Sequence, residues 1–279
     1  MSLLQKTRLL LHLYKFLPKK RLGQNFLIDS DLLQRLLSYA SVSETDVVLE
    51  VGAGLGFLTR LLAQKCRKVV AVEVDSKLVK ILGEQLHDLR NVELIEGDVL
   101  KVSVPFFSKV VSTPPYSISS PLLFWLLERD FDCAVLAFQK EFAERLTSSV
   151  DSKEYSRLTV STYYRAEVEL LDYVPKELFY PPPEVDSIIV RFKPRKPPFS
   201  VANEKLFFGL VQTLFTQRNR KVRNSVVPFL LRQGFEREEA LKIVESLLFH
   251  DKRVRELAPE DFGAITNEIA RKKHERNSL

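Results

Sequence analysis

Short apolar runs alternate with amphipathic segments along the first 165 residues. The runs are rich in valine, leucine and isoleucine, which is typical of strands buried on both faces of a sheet. In the amphipathic segments, apolar residues recur at helical spacing, as in Leu32, Leu33, Leu36 and Leu37 after the capping residue Asp29. The predicted strands cover 46–52, 68–74, 92–95, 109–112 and 133–138. Strands that alternate with helices predict a parallel, doubly wound α/β sheet.

The pattern changes after about residue 165. Two further strand-like runs, 167–174 and 187–192, have only the proline-rich stretch 179–185 between them, which predicts an antiparallel pair at one edge of a seven-stranded sheet. A linker rich in lysine and proline, 193–198, follows. Beyond it every segment has helical spacing, in the ranges 203–216, 219–232, 236–248 and 259–273. We therefore predict an α/β domain over 1–196 and a small all-α domain over 197–279.

The net charge of +6 is concentrated at the N-terminus. Residues 1–28 contain six lysines and arginines and no acid, so this arm carries the whole excess. A second basic cluster lies at 218–223. Such concentration favours a polyanionic partner bound through its phosphates, with a solvated surface arm as the alternative. The residues predicted to bind this partner are Lys19, Lys20, Arg21, Arg218, Arg220, Lys221 and Arg223.

A glycine-rich turn follows the first predicted strand. Its glycines, Gly52, Gly54 and Gly56, permit a tight turn and the close approach of a ligand to main-chain atoms. Glu73 ends the second strand, where an acid can accept hydrogen bonds from both hydroxyls of an adenosine ribose. These residues alone are compatible with a nicotinamide dehydrogenase.

Three details favour S-adenosylmethionine (SAM) as the cofactor. The glycine spacing is G-x-G-x-G rather than G-x-G-x-x-G, and SAM has no pyrophosphate for a helix terminus to hold. Glu50 lies two positions before Gly52, where its carboxylate can face the cationic amino end of the ligand. Asp98 follows the third strand and can accept a hydrogen bond from the amino group of the cofactor adenine.

The segment Thr113-Pro114-Pro115-Tyr116 directly follows the fourth predicted strand. It resembles the [Asp/Asn/Ser/Thr]-Pro-Pro-[aromatic] motif of methyltransferases that act on exocyclic amines of nucleobases. The N6 lone pair of adenine is delocalised, so acceptors aimed at its two hydrogens favour the localised form that attacks a methyl group. We predict the Thr113 hydroxyl and the Pro114 carbonyl as those acceptors, and Tyr116 as a stacking face. Phe179 is the predicted second aromatic wall; the alternative is that it packs beneath its own loop. The predicted catalytic residues are thus Thr113, Pro114, Pro115, Tyr116 and Phe179.

Several classes of protein are disfavoured by composition. Cys66 and Cys133 are too few for a disulfide framework or a zinc site, and we expect both to be buried thiols in a reducing cytoplasm. No apolar run reaches the roughly 18 residues of a membrane helix. The apolar run 9–11 is interrupted by His12 and Lys15, so we expect no targeting segment there.

The motifs and their order resemble those of one family. Residues 20–27 (KRLGQNFL) resemble the signature K-x-L-G-Q-[HN]-F-L, and residues 139–146 (QKEFAERL) resemble Q-K-E-x-A-x-R-L. Residues 179–187 (FYPPPEVDS) resemble F-x-P-x-P-x-V-x-S. Further similarity lies in the SAM motifs at 50–59, 73–75 and 97–98 and in the basic helix start at 217–224. From about residue 18 to 265 the chain is similar to the KsgA family of small-subunit rRNA adenine N6,N6-dimethyltransferases, which are class I SAM-dependent methyltransferases.

This resemblance implies a Rossmann-like methyltransferase fold with an all-α C-terminal domain. It implies the transfer of two methyls to N6 of each of two adjacent adenines, in the 3′-terminal hairpin loop of small-subunit rRNA. It also implies a cytoplasmic enzyme of ribosome biogenesis, a monomer that uses SAM and no metal and binds no membrane. The implied cofactor-binding residues are Gln24, Asn25, Leu27, Gly52, Gly54, Glu73, Asp98 and Thr113.

The chain departs from the family at one clear point. Where the family usually has Asn-Leu-Pro-Tyr, this chain has Thr113-Pro114-Pro115-Tyr116. Threonine keeps a hydroxyl acceptor but loses the amide, so the sequence is also compatible with transfer limited to one methyl or one adenine. Three different functions stay compatible with it as well: a large-subunit rRNA methylase of the antibiotic-resistance type, a small-subunit assembly factor with weak or no methylation, and a DNA adenine methylase.

Overall fold

The computed structural model describes residues 1–277, which form two compact units. The first unit consists of Met1–Ala143 and Glu167–Pro194, and the second of Glu144–Ala166 and the described chain from Arg195 onward. The chain passes from the first unit to the second for the last time between Pro194 and Arg195, next to the predicted domain boundary at residue 196. The sequence pattern, in contrast, assigns the segment 144–166 to the α/β domain, whereas in the structure it belongs to the second unit.

Within residues 1–277, nine strands form two sheets. They are β1 (Phe26–Leu27), β2 (Val47–Val51), β3 (Lys68–Glu73), β4 (Val92–Glu96), β5 (Lys109–Ser112), β6 (Cys133–Gln139), β7 (Ala166–Val174), β8 (Phe179–Tyr180) and β9 (Ser187–Pro194). The main sheet has the order β4-β3-β2-β5-β6-β9-β7, and β1 pairs with β8 in a small second sheet. Strands β2 to β6 pair in parallel and β9 is antiparallel to β6, so the predicted mostly parallel sheet with an antiparallel edge is confirmed.

The parallel strands position the site. Every residue of β2 is buried, as expected for a central strand covered on both faces. Because β2, β3, β4 and β5 run in the same direction, the turns after their carboxyl ends meet at one edge of the sheet. The backbone nitrogen of Gly52 donates to the carbonyl of Val72 at 2.7 Å, which joins the turn after β2 to β3.

Helices connect most of the parallel strands of this sheet. The helices of the first unit are α1 (Leu3–Leu13), α2 (Ser30–Tyr39), α3 (Phe57–Ala63), α4 (Ser76–Gln85) and α5 (Ser119–Leu127), and α6 (Lys140–Leu146) follows β6. The Asp29 side chain caps α2 by accepting from the nitrogen of Leu32 at 2.7 Å, as the sequence predicts. The same helix buries all four of its leucines.

Helix α1 is absent from the sequence prediction, which treats residues 1–28 as a basic arm. Ser2 and Gln5 form a reciprocal capping box at its start, and Leu10 and Leu11 on one face are buried. They pack, with Phe16, against a small apolar cluster of the first unit. Lys6 and Arg8 interrupt the apolar positions of this helix, and only two of its leucines are buried, so its apolar face is not evident from the sequence.

The second unit is helical. Its elements are α7 (Arg157–Arg165), α8 (Glu204–Phe215), α9 (Val222–Ser225), α10 (Val227–Arg232), α11 (Arg237–Ser246) and α12 (Pro259–Asn277). Phe207, Leu210 and Phe262 lie at the centre of its core and are completely buried. Tyr155 and Tyr164, from the segment 144–166, belong to the same core, which explains why that segment joins the helical unit.

Cys66 and Cys133 are buried and unpaired, as predicted. Within residues 1–277, none of the helices has both the length and the apolar character needed to span a bilayer.

Candidate active site

A cavity of about 240 Å³ lies at the carboxyl edge of the parallel sheet. It is lined by the turns after β2, β3, β4 and β5 and by the segment 22–27. All eight residues expected to bind the cofactor line it, and two residues of the catalytic set do so, Thr113 (which is in both sets) and Pro115. The full group is Gln24, Asn25, Leu27, Gly52, Gly54, Glu73, Asp98, Thr113 and Pro115. Pro114, Tyr116 and Phe179 lie outside the lining.

The lining also contains residues that sequence reasoning did not single out. Leu22, Gly23 and Phe26 lie within the motif KRLGQNFL, so the motif itself was the available signal. Ser117 and Ile118 follow Tyr116 in a turn of 3-10 helix, Tyr116–Ile118, and no sequence feature indicates that this turn faces the cavity.

Pro115 packs against two glycines of different motifs. Gly52 has φ +80°, and a Cβ atom there would lie 3.1 Å from Cδ of Pro115. Gly23 has φ +62°, and its Cβ would lie 3.2 Å from Cβ of Pro115. A side chain at either position would be strained by the positive φ and would lie in tight contact with Pro115, so both positions favour glycine. This packing brings the Thr-Pro-Pro-Tyr segment against the glycine-rich turn and the N-terminal motif.

Glu73 is held in place by main-chain donors at the end of β3. Its Oε2 accepts from the nitrogen of Gly54 at 3.0 Å, and its Oε1 accepts from the nitrogens of Val74 and Asp75 at 2.9 and 3.0 Å. Burial raises the pKa of Glu73 above its usual range, and these hydrogen bonds oppose the shift. Asp98, after β4, is more exposed and accepts from the nitrogen of Leu100 at 3.0 Å.

Glu50 is the most deeply buried acid of the site, with 2% of its surface exposed. Its Oε2 has no hydrogen-bond partner among residues 1–277, although the side chain lines the cavity. Burial raises the pKa of Glu50 to about 8, and the nearby charge of Glu73 adds to the shift. An unpaired buried carboxylate oxygen at a cavity wall fits a ligand that carries a cation.

Tyr116 is fixed at both ends of its side chain. Its backbone follows Pro115, and its hydroxyl lies 2.5 Å from the Oγ of Ser187, which is completely buried at the start of β9. Ser187 is the last residue of the motif FYPPPEVDS, so this hydrogen bond joins two sequence motifs. The ring of Tyr116 is consequently restrained in orientation.

Phe179 is 4% exposed and belongs to the main apolar core of the first unit. It pairs with Leu27 across the small sheet of β1 and β8, and Leu27 lines the cavity. Its ring therefore packs beneath the loop and is not part of the cavity wall in this structure. A stacking role for Phe179 stays a prediction.

Comparison with known proteins identifies the family. The family model described as ribosomal RNA adenine dimethylase matches residues 15–271, which is nearly the whole chain. The chain belongs to this family. The predicted family and enzyme class, a SAM-dependent rRNA adenine dimethyltransferase, are thereby confirmed, and the seven-stranded sheet described above confirms the fold class.

Curated relatives agree with the family model. A probable ribosomal RNA small subunit methyltransferase A of Methanosarcina barkeri is 42% identical over 248 residues, covering 88% of this chain and 86% of its own. A protein of the same name from Methanopyrus kandleri is 41% identical over 236 residues, covering 84% of this chain and 85% of its own.

Two solved structures resemble the fold across most of the chain. A dimethyladenosine transferase from Plasmodium falciparum has a TM-score of 0.76 and 30% identity, over 90% of this chain and 98% of that one. The 23S rRNA methyltransferase ErmE has a TM-score of 0.64, also at 30% identity, over 88% of this chain and 100% of that one. The agreement is therefore greater with the dimethyladenosine transferase.

The three basic residues of the N-terminal arm that are predicted to bind RNA differ in their surroundings. Lys20 and Arg21 are exposed. Lys19 instead forms a salt bridge of 2.8 Å with Asp75, whose side chain is 2% exposed. Of these three predicted residues, two are therefore exposed and one is engaged within the first unit.

The second basic cluster forms one edge of an antiparallel ribbon in the second unit. The nitrogen of Val222 donates to the carbonyl of Lys252, and that of Val254 donates to the carbonyl of Arg220, at 2.9 and 3.0 Å. This pairing brings Lys252 and Arg253 beside the predicted cluster, a juxtaposition that the sequence does not reveal because about thirty residues separate the two strands.

Internal contacts engage most of the predicted residues of this ribbon. Arg218 donates to the carbonyls of Ser152, at 2.7 Å, and Lys153. Lys221 and Arg223 each lie 3.0 Å from Oδ1 of Asp251. Arg220 is exposed and has no ion pair with any residue in the range 1–277.

Proposed function

We propose that this chain is a cytoplasmic enzyme of ribosome biogenesis that dimethylates N6 of two adjacent adenines in the 3′-terminal hairpin loop of small-subunit rRNA. The observation that carries the proposal is the cavity itself. Three acids that suit a nucleoside with a cationic amine line this cavity. Thr113 and Pro115, from the Thr-Pro-Pro-Tyr segment that resembles the motif of amine methylases, line it as well. The names of the curated relatives support the small subunit as the substrate, and the higher similarity to a dimethyladenosine transferase than to a 23S rRNA methyltransferase points the same way.

The residues of the cavity fit SAM. The unpaired carboxylate oxygen of Glu50 suits the ligand's amino group, Glu73 suits the ribose hydroxyls, and Asp98 suits the adenine amino group. Gln24, Asn25 and Leu27 form the wall on the N-terminal side. When bound, SAM supplies a methyl group on a positively charged sulfur.

The chain's own residues then act on the target amine. The Thr113 hydroxyl and the Pro114 carbonyl accept hydrogen bonds from the two N6 hydrogens, so the nitrogen lone pair is localised and directed towards the cavity. Tyr116 stacks on the adenine, and Ser187 keeps its ring in one orientation. The adenine has to leave its base stack to reach this position, which a hairpin loop permits more readily than a duplex.

Mass spectrometry of ribosomal RNA tests this function. Purified protein, SAM and small subunits that lack the modification are incubated, and N6-methyl- and N6,N6-dimethyladenosine are then measured after digestion. We expect dimethyladenosine at two adjacent positions, which means that Thr113 replaces the amide of the family. Monomethyladenosine alone would retain the enzyme but restrict the number of transfers. Methylation of large-subunit RNA alone, or tight subunit binding without product, would overturn the proposal in favour of the resistance-type methylase or the assembly factor.

Arg220 provides a test of the RNA contact. The substitution Arg220→Glu is expected to weaken binding of the target hairpin and to reduce the slope of log affinity against log salt by about 1, because one phosphate contact is lost. Affinity is measured by fluorescence anisotropy between 50 and 300 mM salt, roughly the range in which counterion release is readily resolved. The control Arg237→Glu changes charge equally at an exposed helix start, where an acid is favourable. Equal slopes for both variants would show that the ribbon is a solvated surface.

A further inference from the structure

A second network lies beside the cofactor cavity and includes a lysine that charge alone assigns to RNA. The Nζ atom of Lys19 and the Nε2 atom of Gln24 both donate to Oδ2 of Asp75, each at 2.8 Å. The Oε1 atom of Gln24 accepts from the backbone nitrogen of Lys19 at 2.7 Å, which closes the network. The amide of Gln24 is therefore engaged on both sides by protein atoms.

This network fixes one wall of the cavity. Between Lys19 and Gln24 the chain forms a 3-10 turn, Lys20–Leu22, and the residues that follow it line the cavity. Gly23, in the same segment, packs against Pro115. The wall is thus attached at two points, by van der Waals contact at Gly23 and by charged hydrogen bonds at Gln24.

Asp75 also connects this wall to the predicted ribose acid. Its backbone nitrogen donates to Oε1 of Glu73 at 3.0 Å, while its side chain holds Lys19 and Gln24. The same carboxylate caps α4 by accepting from the nitrogen of Lys77 at 3.1 Å. Although burial opposes ionisation, these donors hold the pKa of Asp75 below its usual value. The turn after β3 therefore orients both the N-terminal wall of the cavity, at Gln24, and the wall that contains Glu73.

We propose that Lys19 and Asp75 are positioning residues of the cofactor cavity, and that Lys19 contributes to cofactor affinity whereas its neighbour Lys20 contributes to RNA affinity. This inference rests on the proposed binding of SAM in the cavity. The reason is geometric: the Lys19 ammonium is engaged by a carboxylate that is 2% exposed, and Lys20 is exposed to solvent. Replacing Lys19 with a neutral residue would leave the buried carboxylate of Asp75 without its cationic partner, which is unfavourable.

Titration calorimetry with S-adenosylhomocysteine tests this assignment. Lys19→Met and Asp75→Asn are each expected to weaken binding by about tenfold, equivalent to about 1.4 kcal/mol. Asparagine is as good a helix cap as aspartate, so the second variant keeps the start of α4. The double variant should be no weaker than either single variant, because both remove the same interaction. Hydrogen exchange of the amides in 20–25 should accelerate in both.

Lys20→Met is the matched control. It should leave the affinity for S-adenosylhomocysteine within about twofold of the original chain and weaken binding of the target hairpin, whereas Lys19→Met should do the reverse. If Asp75→Asn lowers the midpoint of thermal unfolding markedly, the comparison of the two lysine variants decides alone. Equal cofactor affinity in both lysine variants would overturn the inference. Failure of the unaltered chain to bind S-adenosylhomocysteine would instead refute the proposed function.

Discussion

Replacing Glu73 with alanine is expected to weaken binding of S-adenosylhomocysteine by about 100-fold and to leave affinity for the target hairpin within about twofold. The free energy involved is about 2.7 kcal/mol, in the range of one or two hydrogen bonds to a charged acceptor. Two effects combine. The ligand loses the proposed acceptor for its ribose hydroxyls, and the nitrogens of Gly54, Val74 and Asp75 lose the carboxylate that orients their turns.

Titration calorimetry and fluorescence anisotropy measure the two affinities on the same preparation. Glu93→Ala is the control, since Glu93 is an acid on the neighbouring strand β4 that pairs with Lys68 and does not line the cavity. Glu73→Gln separates charge from packing, because glutamine keeps one carbonyl acceptor. A parallel loss of cofactor and RNA affinity in Glu73→Ala would mean that Glu73 only maintains the fold.

The second large effect is expected at Glu50 and depends on pH. Burial raises the pKa of Glu50 from 4.5 to about 8, so between these values the folded chain holds a proton that the unfolded chain has released. The free energy of unfolding therefore falls as pH rises from about 4.5 to about 8 and is unaffected by this group above that range. Glu50→Gln lacks this contribution. The thermal midpoint of the variant should therefore rise relative to that of the original chain as pH increases from about 4.5 to about 8.

Ligand binding should depend on pH in the opposite direction. In the proposed site only the ionised Glu50 would form a charged contact with the ligand's amino group, so affinity for S-adenosylhomocysteine should increase from pH 6 to 8. Glu50→Gln should show no such increase and should bind about 30-fold more weakly at pH 8, as expected for loss of a charge-assisted hydrogen bond of about 2 kcal/mol. Methylthioadenosine, which has no amino acid portion, is the control and should bind both proteins equally. A similar loss with methylthioadenosine would exclude this role for Glu50.

The sequence by itself determined the sheet, the order of its motifs and most of the cavity. The strands β2, β3, β5 and β6 are recognisable because a strand buried on both faces requires a continuous apolar run, which is a local property. The residues predicted to bind the cofactor could be placed together for a related reason. In a parallel sheet, residues that end successive strands meet at one edge, so Gly52, Glu73, Asp98 and Thr113 had to converge once the strands were identified.

Only the tertiary structure decided how individual polar and aromatic side chains are used. Lys19 and Asp75 are 56 positions apart, and their contact depends on how α1 and the following turn cross the first unit. Nothing local distinguishes Lys19 from Lys20, nor does the motif that contains Phe179 indicate that its ring enters the core. The segment 144–166 likewise joins the helical unit because Tyr155 and Tyr164 bury their rings there. Such outcomes depend on contacts between residues distant in sequence, which periodicity and motif spacing do not encode.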